Sequence, residues 1–461
     1  MNQGKMAAII IAVLVVIGMA WTYLHCTPFQ SCPWSRSTAD KSPKKVTLSF
    51  YGARDTEEDW SDIIAKFKTY EQNNRHLNVT VEYKQLDQYN YEDLVYDSLV
   101  NKKGPNIFMM FNSWLPKYQA RITEMPSGMM TMDEFEKNFV PVAKNDLVKD
   151  GKIYSMPLYI DTPALFYNKE MFYNAGITRP PENWDEFADD VEKLTQLDKD
   201  GKITRSGAAF GGAKYVNRSQ DIAMLMVMQN NMKADDTRGN PVSFGTSEAK
   251  QAVKLYTDFT NSSNRFYTWD YNSQIYSIDA FIQGTAAMSM NYSYEIANID
   301  SKTQDGLDYG VALMPQKYEN NKANYASYWA PVVAKGAECV KEDGVTMSCE
   351  DISWDFINFV ATHATQEGNT KKYDIESYLK SANRPAAHVD IIEKQMGEIG
   401  SKLAPFAEQT LTAKSWGNAN NKKSDEVLLN MLDTIITTDT AKKKTVESAM
   451  KLAVDNVKEL E

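Results

Sequence analysis

From Val46 onward the apolar positions switch repeatedly between a period of two and a period near 3.6, which predicts strands alternating with helices. VTLSFYG (46–52) reads as a strand. TEEDWSDIIAKFKTYEQ (56–72) reads as a helix with Trp60, Ile63, Ile64 and Phe67 on one face and Thr56 and Asp59 at capping-box spacing. LNVTVEY (77–83) alternates strictly, and EDLVYDSLV (92–100) predicts a short helix. PNIFMMF (105–111) is a continuous apolar run of the kind buried on both faces of a parallel sheet. Strand, helix, strand, helix, strand predicts an α/β lobe with right-handed crossovers. Ligands of such sheets lie beyond the carboxyl ends of the strands, which points to the loops GARDTEED (52–59) and NSWLPK (112–117).

A second α/β lobe is predicted by NWDEFADDVEKLTQL (183–197), with Asn183 and Glu186 at capping spacing, and by QDIAMLMVMQNN (220–231), EAKQAVKLYTDFT (248–260) and IDAFIQGTAAMSMN (278–291). YGVALMP (309–315) and YWAPVVAKG (328–336) read as strands. SWDFINFVATHA (353–364), SDEVLLNMLDTII (424–436) and TVESAMKLAVDNVKEL (445–460) read as amphipathic helices. YIDTPAL (159–165) is an apolar run that Asp161 and Pro163 interrupt, where a central strand would tolerate neither a carboxylate nor a missing donor.

A length of 461 residues exceeds one ordinary core, in keeping with two lobes. A net charge of -11 with scattered lysines excludes nucleic acid as the expected partner and favours a neutral or weakly polar solute. Met6–Leu24 is uncharged and about 28 Å long as a helix, enough to cross a bilayer. Lys5 on one side and Trp21 and Tyr23 on the other orient the remaining chain outside the cytoplasm, so an extracytoplasmic domain on an N-terminal membrane anchor is expected. Rival readings are a cleaved signal peptide, with Gly18 and Ala20 as small residues before the cut, and a lipid-modified Cys26, which Tyr23, Leu24 and His25 fit badly. All three export the domain. Residues 26–45 read as a tether. Cys339 and Cys349 bracket KEDGVTMS, whose Asp-Gly signal predicts a hairpin closed by a disulfide, and Cys26 and Cys32 could pair likewise; four unrelated thiols is the alternative. No metal site is expected, since histidine is scarce and neither pair has CxxC spacing.

Of nine Trp, Trp60, Trp184 and Trp354 lie on apolar helix faces, and Trp21 and Trp34 belong to the anchor and tether. The other four, Trp114, Trp269, Trp329 and Trp416, sit at element ends or in polar loops, where each either stacks on a flat ligand or plugs a lobe edge. Sugar rings suit such platforms, and their hydroxyls need Asp, Asn and Arg partners.

GKIYSMPLYIDTPALFYNKEMFYNAGI (151–177) followed by PPENWDEF (180–187) resembles the segment of extracellular solute-binding proteins, family 1, in which the chain leaves the first lobe for the second. The maltose and multi-sugar receptors of ABC importers belong to that family. AFIQGTAAMSMNYSYEIANI, DYGVALMP and YWAPVVAKG resemble it in the same order, so the likeness spans Val46 to Glu461. It departs at AECVKEDGVTMSCED (337–351), where relatives often have a short turn. The resemblance implies a two-lobed periplasmic-binding-protein clamp of type II with discontinuous lobes, 46–157 plus 334–384 and 162–327 plus 388–461, hinged near 158–161, 328–333 and 385–387. It also implies pocket aromatics at Tyr215, Tyr294 and Trp416. The polar candidates are Arg54, Asp55, Asn112 and Asp161, although Arg54 and Asp55 could equally serve as helix cap and surface charge.

The expected function is capture of a sugar or oligosaccharide by a monomeric receptor that delivers it to an ABC permease, with no cofactor and no bond made or broken. An anchored adhesion protein and an exported glycosidase using two carboxylates are the alternatives. No HExxH, GxSxG, P-loop or dinucleotide fingerprint is present.

Overall fold

The strand Lys44–Gly52 buries Val46, Leu48 and Phe50 and turns the intervening residues outward, so the period of two in the sequence becomes one face of a sheet. Phe50 pairs with Ile107 in a parallel register. The strand Ile107–Phe111 pairs on its other side, antiparallel, with Trp329–Val333. Leu77–Gln85 also pairs the first strand, and Val340–Lys341 adds a short antiparallel piece at its start, making five strands. Ile107 to Met110 are all buried because the sheet is covered on both faces. The helix Glu57–Arg75 covers it with Trp60, Ile63 and Phe67. Thr56 accepts from the Asp59 N–H while the Asp59 carboxylate accepts from the Thr56 N–H, a reciprocal cap that starts the helix immediately after the loop.

A second hydrophobic core surrounds a three-stranded antiparallel sheet, with Ala164–Asn168 between Met288–Asn291 and Tyr309–Ala312. The helices Trp184–Leu194, Ser219–Gln229, Ser247–Asp258, Asn421–Ile436 and Val446–Lys458 pack around it. Ser219–Gln229 is buried along nearly its whole length. Between the two cores three stretches run side by side. The Ile160 N–H donates to the Pro385 carbonyl (3.2 Å), Ala387 N–H to Leu158 (3.2 Å), and Ser327 N–H to Asp161 (2.9 Å). The architecture is mixed α/β.

The structure, a computed structural model, describes residues 42–230, 244–303, 306–368, 370–416 and 421–460. The expected anchor Met6–Leu24, most of the tether and the pair Cys26 and Cys32 lie outside the described residues. No helix among the described residues is long and apolar enough to cross a membrane.

Cys339 and Cys349 form a disulfide, with Cα atoms 5.7 Å apart. It does not close a hairpin as the Asp-Gly signal predicted. The segment after Cys339 pairs with the first strand instead, and Cys349 opens the helix Cys349–Thr362, capped by Ser348. The main-chain donors of Val340–Lys341 find the older sheet edge, so the bridge ties an edge strand to a helix start.

Candidate functional site

A cleft of about 110 Å³ lies where the two cores and the three adjoining stretches meet. The five-stranded half supplies an aromatic wall. Trp329 and Phe111 are register partners at adjacent strand ends, and both line the cleft. The Trp329 ring stands edge-on to Trp114 (5.2 Å, 80°) and Tyr91 (5.2 Å, 87°), so one face of the wall is held by buried rings while part of Trp329 stays accessible. The three-stranded half contributes Tyr292 and Tyr294 just beyond the strand Met288–Asn291, their rings stacked at 6.0 Å. Arg54, in the loop after the first strand, reaches across with its guanidinium 6.0 Å from the Tyr294 ring.

Two charge clusters, the first buried and the second partly so, flank these rings. Arg384 donates to Asp55 (3.3 Å), lies 3.7 Å from an Asp161 oxygen, and covers the Tyr159 ring at 4.8 Å. Asp55 also accepts from Tyr378 (2.9 Å), while Asp161 accepts from the Ser293 hydroxyl (2.8 Å) and the Thr162 N–H (3.0 Å). The chain Tyr378, Asp55, Arg384, Asp161, Ser293 therefore links one half of the molecule to the other through the stretches between them. Burial pushes the Asp161 carboxyl up to about 6, against the pull of Arg384 and the bonds from Ser293 and Thr162. In the second cluster Arg218 pairs with Asp221 (2.5 Å), which also accepts from the Tyr292 hydroxyl (2.5 Å). Arg218 sits at φ 57°, a left-handed conformation that costs a non-glycine residue energy and here aims the side chain into the cleft from the head of the helix Ser219–Gln229.

Asp425, from the helix Asn421–Ile436, completes this second cluster. Burial and the Asp221 charge push it up to about 7, opposed by Arg218. An acid raised in the folded state holds its proton longer there than in the unfolded chain, so stability falls as pH rises through the window from its ordinary 3.8 to about 7. Asp425→Asn removes that term. Between pH 5.5 and 7.5 the loss of unfolding free energy, measured with denaturant, should be smaller in the variant by about 2 kcal/mol. An unchanged slope would show that Asp425 titrates normally.

A larger hollow of about 930 Å³ opens on the three-stranded half beside Arg179, Glu182, Lys317 and Glu408. It shares no residue with the cleft and is an open, charged groove. Of the two, the cleft is the better ligand site because it brings aromatic faces and desolvated charges together, whereas no aromatic ring lines the groove.

Residues 54–367, more than half of the chain, match the bacterial extracellular solute-binding protein family. The chain belongs to that family. A binding protein of Brucella abortus is 28% identical over 242 residues, 49% of this chain and 55% of that protein. The maltotriose-binding protein of Pyrococcus abyssi is 24% identical over 262 residues, 57% of this chain and 51% of its own length. The chain thus spans about half the length of the curated relatives it matches. An ABC transporter solute-binding protein of Thermotoga lettingae, solved with α-D-tagatose, shares the fold with a TM-score of 0.64 at 20% identity, covering 90% of this chain and 99% of that one. The family is one of binding proteins rather than enzymes.

In this solute-binding protein, four of the residues singled out from sequence line the cleft: Arg54, Asp161, Tyr294 and Trp329. Asp161 is not a free acceptor, since it is 2% exposed and its oxygens are taken by Ser293, Thr162 and Arg384. Asp55 lies behind the wall, holding Arg384, and does not cap the helix, which Thr56 does. Asn112 donates to Asp146 (3.2 Å) and Ser415 (3.0 Å), away from the cleft lining. Trp114 is buried and stacks on Tyr118 at 5.5 Å, so it backs Trp329. Trp269 is buried against Gly212, where a Cβ would come within 2.7 Å of the indole. Trp416 is buried in the second core with Phe244 at 6.4 Å, and Tyr215 packs on Tyr276 at 5.4 Å; neither lines the cleft. Sequence reasoning passed over Tyr159, Arg218, Tyr292, Arg384 and Asp425. Arg384 carried one usable cue, its place before Pro385, which favours an extended backbone at the edge of an expected crossing.

Proposed function

We propose that this protein captures a sugar or small oligosaccharide between two lobes and delivers it to the membrane subunits of an ABC-type importer. The observation that carries this reading is the cleft itself, in which Trp329 and Tyr294 face one another's halves while buried Arg and Asp pairs supply directional partners. Ring faces take the C–H surface of a pyranose or furanose, and the charged groups take hydroxyls. The named ligands of the Pyrococcus abyssi and Thermotoga lettingae proteins, maltotriose and tagatose, are of this class.

The lobes in this reading are discontinuous, as in a type II clamp, with hinges at the adjoining stretches near 158–161, 328–333 and 385–387. The cleft is small beside ligand pockets of roughly 300–1,000 Å³, so an incoming solute requires the halves to part and then close. The receptor acts as a monomer outside the cytoplasm, held at the membrane by Met6–Leu24.

Melting curves over a panel of mono- and oligosaccharides test the reading. A bound sugar at a hundred times its Kd should stabilise the fold by about 2.7 kcal/mol. A shift with a peptide, polyamine or metal ion and none with any sugar would overturn it.

A further inference from the structure

Arg54 differs from every other described arginine. Arg75, Arg179, Arg218, Arg265 and Arg384 pair with carboxylates, Arg121 donates to the Tyr96 hydroxyl and Arg205 to the Leu194 carbonyl. Arg54 is exposed and makes neither an ion pair nor a hydrogen bond. Its one contact is the Tyr294 ring across the cleft, at 6.0 Å. The acid next to it in sequence is turned elsewhere, since Asp55 accepts from Tyr378 and Arg384.

The other two arginines of the cleft are balanced. Asp221 answers Arg218, and Asp55 and Asp161 answer Arg384. Asp425 also lines the cleft and acts on Arg218, so the four acids of the two clusters outnumber their two arginines, yet none of them pairs with Arg54, and one buried donor is left unanswered as well. Arg384 lines the cleft, its side chain is 8% exposed, and its Nε–H has no partner. A buried donor of this kind is costly unless an acceptor arrives.

Resting on the reading that the cleft takes a sugar, we propose that this sugar carries one acidic group, a carboxylate or a phosphate, which pairs with Arg54 and offers an acceptor oxygen toward Arg384. A neutral sugar would leave Arg54 hydrated at the rim and contribute nothing to closure there. An anionic one draws the guanidinium inward over Tyr294, so the same contact both selects the ligand and joins the halves. Two carboxylates flanking the Arg384 guanidinium make a second acidic group unwelcome, which limits the ligand to a single acidic group at this end.

Calorimetric titration of the full chain with matched pairs tests this: galacturonate against its methyl ester, and glucose 6-phosphate against glucose. The acidic member of one pair should bind at least ten-fold tighter than its neutral partner, and the pair that shows it distinguishes carboxylate from phosphate. Arg54→Gln should erase that preference, and Arg54→Lys should restore part of it. Equal binding within both pairs, or an acid preference unchanged in Arg54→Gln, overturns the proposal and leaves the sugar reading standing. So does binding of neutral glycans alone. Failure of every glycan, charged or neutral, overturns both.

Discussion

Arg384→Met should lower the unfolding free energy by about 3–5 kcal/mol at pH 8, because it leaves Asp55 and Asp161 buried with no cation between them. The methionine fills most of the space and keeps an apolar stem against Tyr159, so the loss reports charge rather than volume. Asp161, already at about 6, moves higher without Arg384, and the defect should therefore shrink at pH 5. Adding Asp161→Asn to Arg384→Met should recover part of the loss, since one of the two stranded charges is gone. Arg384→Lys should recover less than half, because one ammonium cannot span two carboxylates and a ring face. A loss under 1 kcal/mol in Arg384→Met, with no pH dependence, would mean that solvent reaches these acids and the chain between the halves is not stabilising.

The second large effect belongs to Trp329. Trp329→Ala should cut sugar affinity by about a hundred-fold or more and cost about 3 kcal/mol of stability, through loss of the edge contacts to Tyr91, Trp114 and Phe111. Trp329→Phe separates the two. It keeps a ring against its neighbours and should hold most of the stability while binding about ten-fold more weakly. Trp269→Phe is the control, since Trp269 is equally aromatic but buried against Gly212 away from the cleft. Sugar binding that survives in Trp329→Ala and fails in Trp269→Phe would move the site elsewhere.

The strands and helices were legible because their signals are local. The alternation of Val46, Leu48 and Phe50, the Thr56 and Asp59 box and the Asn183 cap each act within a few residues, and each appears in the structure. The tryptophans were misleading for the opposite reason. Trp114 and Trp269 stand in polar sequence, yet rings and glycine from elsewhere in the chain enclose them. Polar neighbours in sequence say nothing about burial at a loop end, where chain direction changes every residue or two. Asp425 shows the same gap from the other side. In SDEV it has the look of a solvated first helical turn, and the approach of Asp221 and Arg218 from a helix some 200 residues earlier makes it a half-buried acid.

The strand Ile107–Phe111 lies in the middle of the first sheet, and its outer partner, Trp329–Val333, is roughly 200 residues further along the chain. During synthesis the segment IFMM must therefore wait, apolar and unpaired along one edge, until the whole intervening region has been made. Such an edge is a template for association with other chains, and a long wait at a ribosome or translocation pore prolongs that hazard. Destabilising changes far from the cleft that lengthen this interval should show up first as lost yield.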